Sequence, residues 1–222
     1  MPSRTKKVLS FDLDGTLVQH DFSTAVWREA IPALLARERG IPLEDAKTWV
    51  YREYDSVGEG SLEWYDLGYW YRRFRLQEEW NETLRRHRFL IRAFPEVPEV
   101  LRKASETHRL IILSNASRPF IQEEMEATGL SGLFERVISA TSDLGEVKKT
   151  REFYTKVCSL LALDPHELIH VGDHWAFDYL APQEAGVRAY YLDRSGKDNG
   201  GDVVRDLREF AKRVMSPGGT RN

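Results

Sequence analysis

The chain lacks the features of secreted, membrane and nucleic-acid-binding proteins. Its 222 residues include one cysteine, Cys158, which excludes an internal disulfide and fits a reducing compartment. No apolar run approaches the roughly 20 residues of a membrane helix, and the start, MPSRTKK, has no apolar signal-peptide region. The net charge of −3 and the pI of about 6.1 give no reason to expect nucleic acid or an anionic membrane as a partner. We therefore expect a cytoplasmic protein, either a monomer or a homodimer.

The pattern of apolar residues divides the chain into two kinds of segment. Apolar runs of strand length alternate with helical patterns from residue 93 onward, and residues 8–11 form a first such run. This alternation predicts an α/β core, Rossmann-like, with a doubly wound parallel sheet. Residues 18–92 show helical periodicity without a convincing strand and predict a smaller four-helix cap domain. The predicted domains are thus a core of residues 1–17 and 93–222 and a cap of residues 18–92.

The predicted boundaries follow from capping and breaking residues. Five strands are predicted, at residues 8–11, 110–113, 137–140, 168–171 and 187–192. In the cap, helices are predicted from a cap residue at Ser23 or Thr24 to residue 39, then at 43–54, 62–76 and 78–94. The core helices are predicted at 99–107, 118–128, 151–163 and 203–215, and residues 216–222 are predicted to be a frayed tail.

Polar side chains follow three of the predicted strands. Asp12 and Asp14 end the first, Ser114 and Asn115 the second, and Asp173 the fourth. The carboxyl ends of parallel strands share one edge of a sheet, where ligands bind in open α/β folds. Two carboxylates two residues apart face the same side and repel each other unless a cation or a shared proton relieves them. The alternative for the first pair alone is an ordinary turn, since Asp-Gly is a common turn pair.

Four motifs together resemble those of the haloacid dehalogenase-like hydrolase superfamily. Residues 11–17, FDLDGTL, resemble its first motif, Asp-x-Asp-Gly-Thr. Ser114 ends an apolar strand as in the second motif, and Lys148 follows Gly145 by three residues as in the third. Residues 172–178, GDHWAFD, resemble the fourth, a Gly-Asp followed five residues later by a second acid. Lys149 stands where the family usually has proline, which leaves Lys149 as the alternative to Lys148 for the motif lysine.

The resemblance implies a phosphatase that hydrolyses a small phosphorylated metabolite. In that chemistry Asp12 attacks phosphorus and becomes an aspartyl phosphate, and Asp14 acts as general acid and then general base. Lys148 is expected to balance the charge of Asp12 and the phosphoryl oxygens. Ser114 and the backbone amide near Asn115 are expected to hold the phosphate.

The resemblance also implies Mg²⁺ as the cofactor. Its expected ligands are the carboxylates of Asp12 and Asp173 and the backbone carbonyl of Asp14. Asp178 is expected to act from a second layer around the ion or through water.

Three other functions stay open on the sequence. A phosphomutase of the β-phosphoglucomutase type shares these motifs. A haloacid dehalogenase is disfavoured, because dehalogenases of this family lack an acid at the position of Asp14. A binding module that keeps the fold without turnover is the third alternative.

The cap is rich in aromatic residues, and two interpretations of them stay open. Residues 63–74 contain six aromatic side chains at helical spacing, which favours the core of the cap. One or two of them lining a substrate pocket is the alternative. Residues 20–22, where the chain enters the cap, either face the substrate or simply begin a helix. Cys158 lies in a predicted helix and is expected to be a buried structural thiol.

Overall fold

A computed structural model describes residues 7–215 of the chain. Its centre is a six-stranded parallel sheet in the order β3-β2-β1-β4-β5-β6. The strands of this sheet are β1 (Val8–Phe11), β2 (Arg109–Ser114), β3 (Arg136–Ser139), β4 (Leu168–Gly172), β5 (Arg188–Leu192) and β6 (Val203–Val204). The predicted parallel α/β core is confirmed.

Strand β1 lies at the middle of the sheet and sets the position of the first acid. All four of its residues are buried, as expected for a strand covered on both faces. Phe11 is in register with Ile112 of β2 and Val171 of β4. The residues that follow these three strands therefore meet at one edge of the sheet.

Helices cover both faces of the sheet. Alternate side chains of β1 point to opposite sides, and Leu9 and Phe11 join one hydrophobic cluster while Val8 joins another. The core helices are α6 (Val97–Ser105), α7 (Arg118–Thr128), α8 (Ala140–Leu144), α9 (Arg151–Leu160), α10 (Ala181–Glu184) and α11 (Leu207–Met215). Their distribution over two clusters gives the doubly wound arrangement.

The chain between β1 and β2 is mostly helical. It forms α1 (Asp21–Ala25), which continues through a π-helical segment (Val26–Ala30) into α2 (Ile31–Arg39), and then α3 (Leu43–Val57), α4 (Leu67–Phe74) and α5 (Trp80–His87). These helices share a hydrophobic cluster of their own, which Phe120 of α7 also joins. We call residues 21–90 the cap helices. The division into two domains at residues 17 and 93 stays a prediction.

The two connections to the cap helices run side by side. Gln19 N–H donates to the carbonyl of Arg92 at 2.9 Å, and Phe94 N–H donates to the carbonyl of Leu17 at 3.0 Å. The chain therefore enters and leaves the cap helices at the same place.

Several predicted boundaries were wrong. The first cap helix begins at Asp21 rather than after a cap at Ser23 or Thr24, because the Ser23 hydroxyl donates to Asp14 instead. Residues 62–65 form a 3₁₀ turn ahead of α4. The predicted helix 203–215 begins only at Leu207, since the β-branched pair 203–204 adds an edge strand to the sheet. The predicted tail, 216–222, lies outside the described residues.

Cys158 is buried on α9, as predicted for a structural thiol. Of the helices within residues 7–215, none combines the length and the apolar character needed to cross a membrane.

Candidate active site

Asp12 directly follows β1 and pairs with a buried lysine. Its backbone N–H donates to the carbonyl of Val171 at 3.0 Å, which fixes it at the carboxyl edge of the sheet. The Lys149 ammonium donates to the Asp12 carboxylate and, at 3.0 Å, to the carbonyl of Leu113. The side chain of Lys149 is only 1% exposed. Charge-assisted hydrogen bonds of this kind are the strong ones in a low-dielectric site.

The structure places Lys149, and not Lys148, beside Asp12, which corrects the predicted lysine by one residue. The ammonium of Lys148 instead contacts Glu59 of the cap helices at 2.9 Å and lies 5.1 Å from the ring centre of Phe177. The reason is the path of the loop before α9. Lys149 N–H donates to Asn115 Oδ1 at 3.0 Å, and this bond turns the side chain of residue 149 inward.

Asp178 completes a buried charge cluster with Lys149. Its Oδ1 lies 2.5 Å from the Lys149 ammonium and 3.0 Å from His170 Nε2, and its Oδ2 accepts from the backbone N–H of His174 at 3.0 Å. Burial alone would raise the pKa of Asp178, but the charge of Lys149 and the His170 hydrogen bond hold it well below its usual range. Asp178 is therefore an ionised carboxylate that fixes Lys149.

His170 is a neutral hydrogen-bonding link behind this cluster. Burial lowers its pKa, so the ring is uncharged at neutral pH. The ring then donates from Nε2 to Asp178 and accepts at Nδ1 from the Ser10 hydroxyl, 2.8 Å away. These two hydrogen bonds orient the His170 ring, which in turn holds the Asp178 carboxylate in position.

Asp14 lies in a different setting from Asp12. The Ser23 hydroxyl donates to its Oδ1 at 3.0 Å, and burial raises its pKa above the usual range of a carboxyl. Glu124 of α7 is fully buried and lies against Asp14. No donor within residues 7–215 reaches either Glu124 oxygen. Burial and the charge of Asp14 raise the pKa of Glu124, and a proton on one of the two acids would let them hydrogen-bond to each other.

Sequence reasoning missed Glu124 although a signal was present. Glu124 falls at helical spacing from Phe120 and Ile121 and precedes Met125, all of which are buried on α7. A charged residue in the apolar stripe of an amphipathic helix is buried, and a buried acid needs a partner.

Ser114 ends β2 and Asn115 follows it, at the same edge of the sheet as Asp12. Ser114 is 1% exposed, and its hydroxyl accepts from the backbone N–H of Ala116 at 3.1 Å. Asn115 holds the loop of Lys149 through its side chain. The predicted phosphate contacts of these two residues stay a prediction, while their position at the edge of the sheet follows from the register of β2 and β1.

Three carboxylates converge at this edge. Asp12, Asp173 and Asp178 each offer one oxygen, and these oxygens lie within 4.8 Å of one another. The Lys149 ammonium pairs with Asp12 and Asp178, and the His20 ring lies beside Asp173, so three carboxylates face two cationic side chains. Burial raises the pKa of Asp12, and the charges of Asp178 and Asp173 add to this effect against that of Lys149. Hard carboxylate oxygens with uncompensated negative charge suit a hard divalent cation such as Mg²⁺.

Asp173 and Gly15 shape the open side of this cluster. Asp173 Oδ2 lies 3.3 Å from His20 Nε2, and this hydrogen bond raises the pKa of His20 to about 9. Gly15 has a φ of +77°, and a Cβ there would come within 2.1 Å of Asp173 Oδ2. Only glycine combines that conformation with so close an approach.

The geometry divides the predicted site residues into three groups. Lys149 contacts one oxygen of Asp12 and His20 contacts one oxygen of Asp173, whereas both oxygens of Asp178 accept hydrogen bonds from the protein. The side chain of Asp14 bonds to Ser23 and lies outside the group of three carboxylates. The site thus separates Asp12, whose carboxylate pairs with the buried Lys149 ammonium, from a second acid, Asp14, which accepts from the Ser23 hydroxyl.

Comparisons with known proteins identify the family of the chain. Residues 6–186 match the family described as haloacid dehalogenase-like hydrolase. The chain is 28% identical over 191 residues to the GMP/IMP nucleotidase YrfG of Escherichia coli, a match that covers 85% of this chain and 83% of that protein. It is 25% identical over 119 residues to the mouse (Mus musculus) N-acylneuraminate-9-phosphatase, covering 53% of this chain and 46% of that protein.

Solved structures show the same fold. A HAD phosphatase from Thermococcus onnurineus superimposes with a TM-score of 0.81 at 23% identity, over 97% of this chain and 100% of that one. A 2-haloacid dehalogenase from Pseudomonas syringae gives a TM-score of 0.65 at 21% identity, over 94% and 97% of the two chains. The chain belongs to the haloacid dehalogenase-like hydrolase family, and it is an enzyme of that hydrolase class.

Proposed function

We propose that the protein is a Mg²⁺-dependent phosphatase that hydrolyses a small phosphorylated metabolite through an aspartyl-phosphate intermediate. The observation that carries the proposal is the pairing of Asp12 with the buried ammonium of Lys149, next to a second acid, Asp14, whose pKa is raised. A phosphate monoester resists attack by anions, so its hydrolysis depends on positioning and charge compensation. The relatives named nucleotidase and phosphatase support this reaction class.

The proposed first step uses the two acids in different protonation states. A carboxylate oxygen of Asp12 forms a bond to phosphorus while the bond from phosphorus to the leaving oxygen breaks. Asp14, as the neutral acid, gives its proton to that oxygen. Its raised pKa suits this role, because the group must hold a proton near neutral pH.

The second step reverses the role of Asp14. As a carboxylate, Asp14 takes a proton from water while the water oxygen attacks phosphorus. The bond between phosphorus and Asp12 breaks, which releases inorganic phosphate and restores both acids. Lys149 stays beside Asp12 and compensates the charge of the phosphoryl group throughout.

Asp12 and Asp173 would hold the magnesium ion, with the backbone carbonyl of Asp14 as the predicted third protein ligand. When bound, the ion supplies positive charge against the phosphoryl oxygens and the crowded carboxylates. Asp178 would act on the ion only indirectly, since His170, His174 and Lys149 already occupy its oxygens.

The second acid favours phosphoryl transfer over dehalogenation. A halide leaves without needing a proton, whereas an alkoxide from a phosphate ester needs one, and Asp14 is the proposed donor of that proton. The cluster of three carboxylates, which could hold a divalent cation, also favours phosphoryl transfer. A phosphomutase would use the same residues and differs only in the acceptor of the phosphoryl group.

The test is a panel of phosphorylated metabolites assayed for released phosphate with Mg²⁺ and with EDTA. We expect turnover that EDTA abolishes and that Asp12→Asn removes. Isomer conversion of a bisphosphorylated sugar without phosphate release would instead favour the mutase. Haloacid turnover without added metal would contradict the proposal.

A further inference from the structure

A cavity among the cap helices opens next to the proposed acid. Its volume is about 200 Å³, and one of its lining residues is Ser23, whose hydroxyl donates to Asp14. The acid that protonates a leaving oxygen must lie beside the leaving group. Because Ser23 both lines the cavity and contacts Asp14, the cavity lies one side chain away from the proposed acid, within reach of the part of the substrate that departs.

Four of the eight residues that line this cavity are aromatic. The indoles of Trp27 and Trp64 lie 6.2 Å apart at 27°, and Tyr54 meets Trp27 edge to face at 6.0 Å and 82°. Trp27 is backed by Phe120, stacked at 5.4 Å and 20°. The Tyr54 hydroxyl donates to the carbonyl of Trp27 at 3.2 Å. The wall is thus held in place by packing and hydrogen bonding before any ligand binds.

Two side chains of opposite charge lie at the same cavity. Arg28 and Asp55 both line it and both are exposed. Within residues 7–215 neither of them takes part in an ion pair, although Arg28 lies over the ring of Tyr51. Arg28 offers only donors and Asp55 only acceptors. Together they can meet a ligand edge that carries both acceptors and N–H donors.

The other large cavity near the site has a different character. It lies between the cap helices and the core, with Asp66 and Arg72 of the cap in contact with each other at 3.5 Å. None of its described lining side chains hydrogen-bonds to Asp12 or Asp14. Of these two cavities, the aromatic one has a lining side chain, Ser23, that hydrogen-bonds to Asp14.

We propose that the cavity of Trp27, Tyr54 and Trp64 binds a flat heteroaromatic leaving group, the nucleobase of a nucleoside 5′-monophosphate. This inference rests on the proposed phosphatase function and names its substrate class. The indoles stack on the base, and Arg28 and Asp55 meet its polar edge. Stacking of a base on an aromatic side chain contributes enough that its loss weakens binding by roughly 5- to 100-fold.

The experiment compares inosine 5′-monophosphate with ribose 5-phosphate, which presents the same phosphoester without the base. The readout is the ratio of their kcat/KM values in one enzyme preparation, so that incomplete folding of a variant cancels. We expect wild type to favour the nucleotide by at least roughly 10-fold, and Trp64→Leu and Trp27→Leu each to reduce the ratio by roughly 5- to 100-fold.

Trp49→Leu is the matched control. Trp49 lies on α3 among the same cap helices, 37% exposed and packed on Phe74, and it does not line the cavity. The same chemical change there should leave the ratio unchanged. A ratio near one in wild type, or an equal fall in Trp49→Leu and Trp64→Leu, would overturn the proposal.

Calorimetric titration with inosine separates this proposal from the proposed function. Binding of inosine that Trp64→Leu weakens, in a protein that hydrolyses neither phosphate, would support the base site and contradict the phosphatase. Equal hydrolysis of both phosphates with no inosine binding would overturn the base site and leave the phosphatase standing.

Discussion

Replacement of Lys149 by methionine, with Lys148→Gln as its matched control, exploits two adjacent lysines in opposite settings. Lys149 is 1% exposed and contacts both Asp12 and Asp178. Its removal leaves two buried carboxylates without their ammonium, and breaking a buried pair in this way costs about 3–5 kcal/mol of stability. The Lys148 side chain is 25% exposed and pairs with Glu59, which is 70% exposed, so its loss costs at most about 1 kcal/mol.

The same pair of variants should differ in turnover. Lys149 is the group that compensates Asp12 in the proposed reaction, and loss of one such electrostatic contact typically lowers kcat by roughly 10²- to 10³-fold. Lys148→Gln should keep kcat within about threefold of wild type, because its ammonium contacts only Glu59 and the face of Phe177.

Stability is measured by urea unfolding in EDTA, and turnover by phosphate release at saturating Mg²⁺. EDTA matters for the first assay because a bound cation would partly replace the missing ammonium. The reasoning is refuted if Lys148→Gln loses turnover while Lys149→Met retains it, or if the two variants unfold at the same urea concentration.

Three further predictions follow from the site and its surroundings. Asp14→Asn should slow hydrolysis of alkyl phosphates by roughly 10²- to 10⁴-fold and hydrolysis of p-nitrophenyl phosphate much less, since nitrophenolate leaves without a proton; equal losses would argue against a general acid. Mg²⁺ at about 100 times its Kd should stabilise the wild type by about 2.7 kcal/mol in urea unfolding, and Asp173→Asn should abolish this gain while unfolding at a similar urea concentration in EDTA. The hydrogen bond from Ser195, together with other donors, holds the pKa of Asp193 well below its usual range. Its contribution to stability is therefore present above about pH 4 and is lost as the pH falls below that, so Asp193→Asn should flatten the decline in urea midpoint between about pH 4 and pH 2.

The parallel core was predictable because its local signals agree with its packing. The run at 8–11 is buried on both faces and ends at Asp12, as its composition indicates. Helix α7 runs from Arg118 to Thr128 with Gly129 at a φ of +68° after its end, and both boundaries were predicted from the sequence. In these segments periodicity, breaking residues and burial all favour the same structure.

The lysine register was not predictable from spacing. Either lysine lies close to Gly145 in sequence, and the choice between them depends on the bond from Lys149 N–H to Asn115, a residue 34 positions away. The short strand at 203–204 was missed for a similar reason, because its register with β5 is a tertiary contact.

The sequence predicted only part of the cavity among the cap helices. The sequence left two roles open for the aromatic residues at 63–74, the core of the cap or the wall of a pocket. The structure buries Trp70 and Phe74 in the cap cluster, while Trp64 lines the cavity. Trp27 lies outside that run and reaches the same cavity from the first cap helix. Which aromatic residues share a wall depends on how the helices pack, and periodicity within one helix carries no information on that.

The most direct measurement of the central claim is to locate the phosphorylated residue during turnover. Enzyme quenched under saturating substrate and Mg²⁺ is reduced with borohydride, which converts an aspartyl phosphate to the corresponding alcohol, and the peptides are read by mass spectrometry. The proposed mechanism predicts reduction at Asp12 and at no other carboxylate, and none without substrate. Reduction at Asp14 or Asp173, or turnover without any reduced carboxylate, would contradict it.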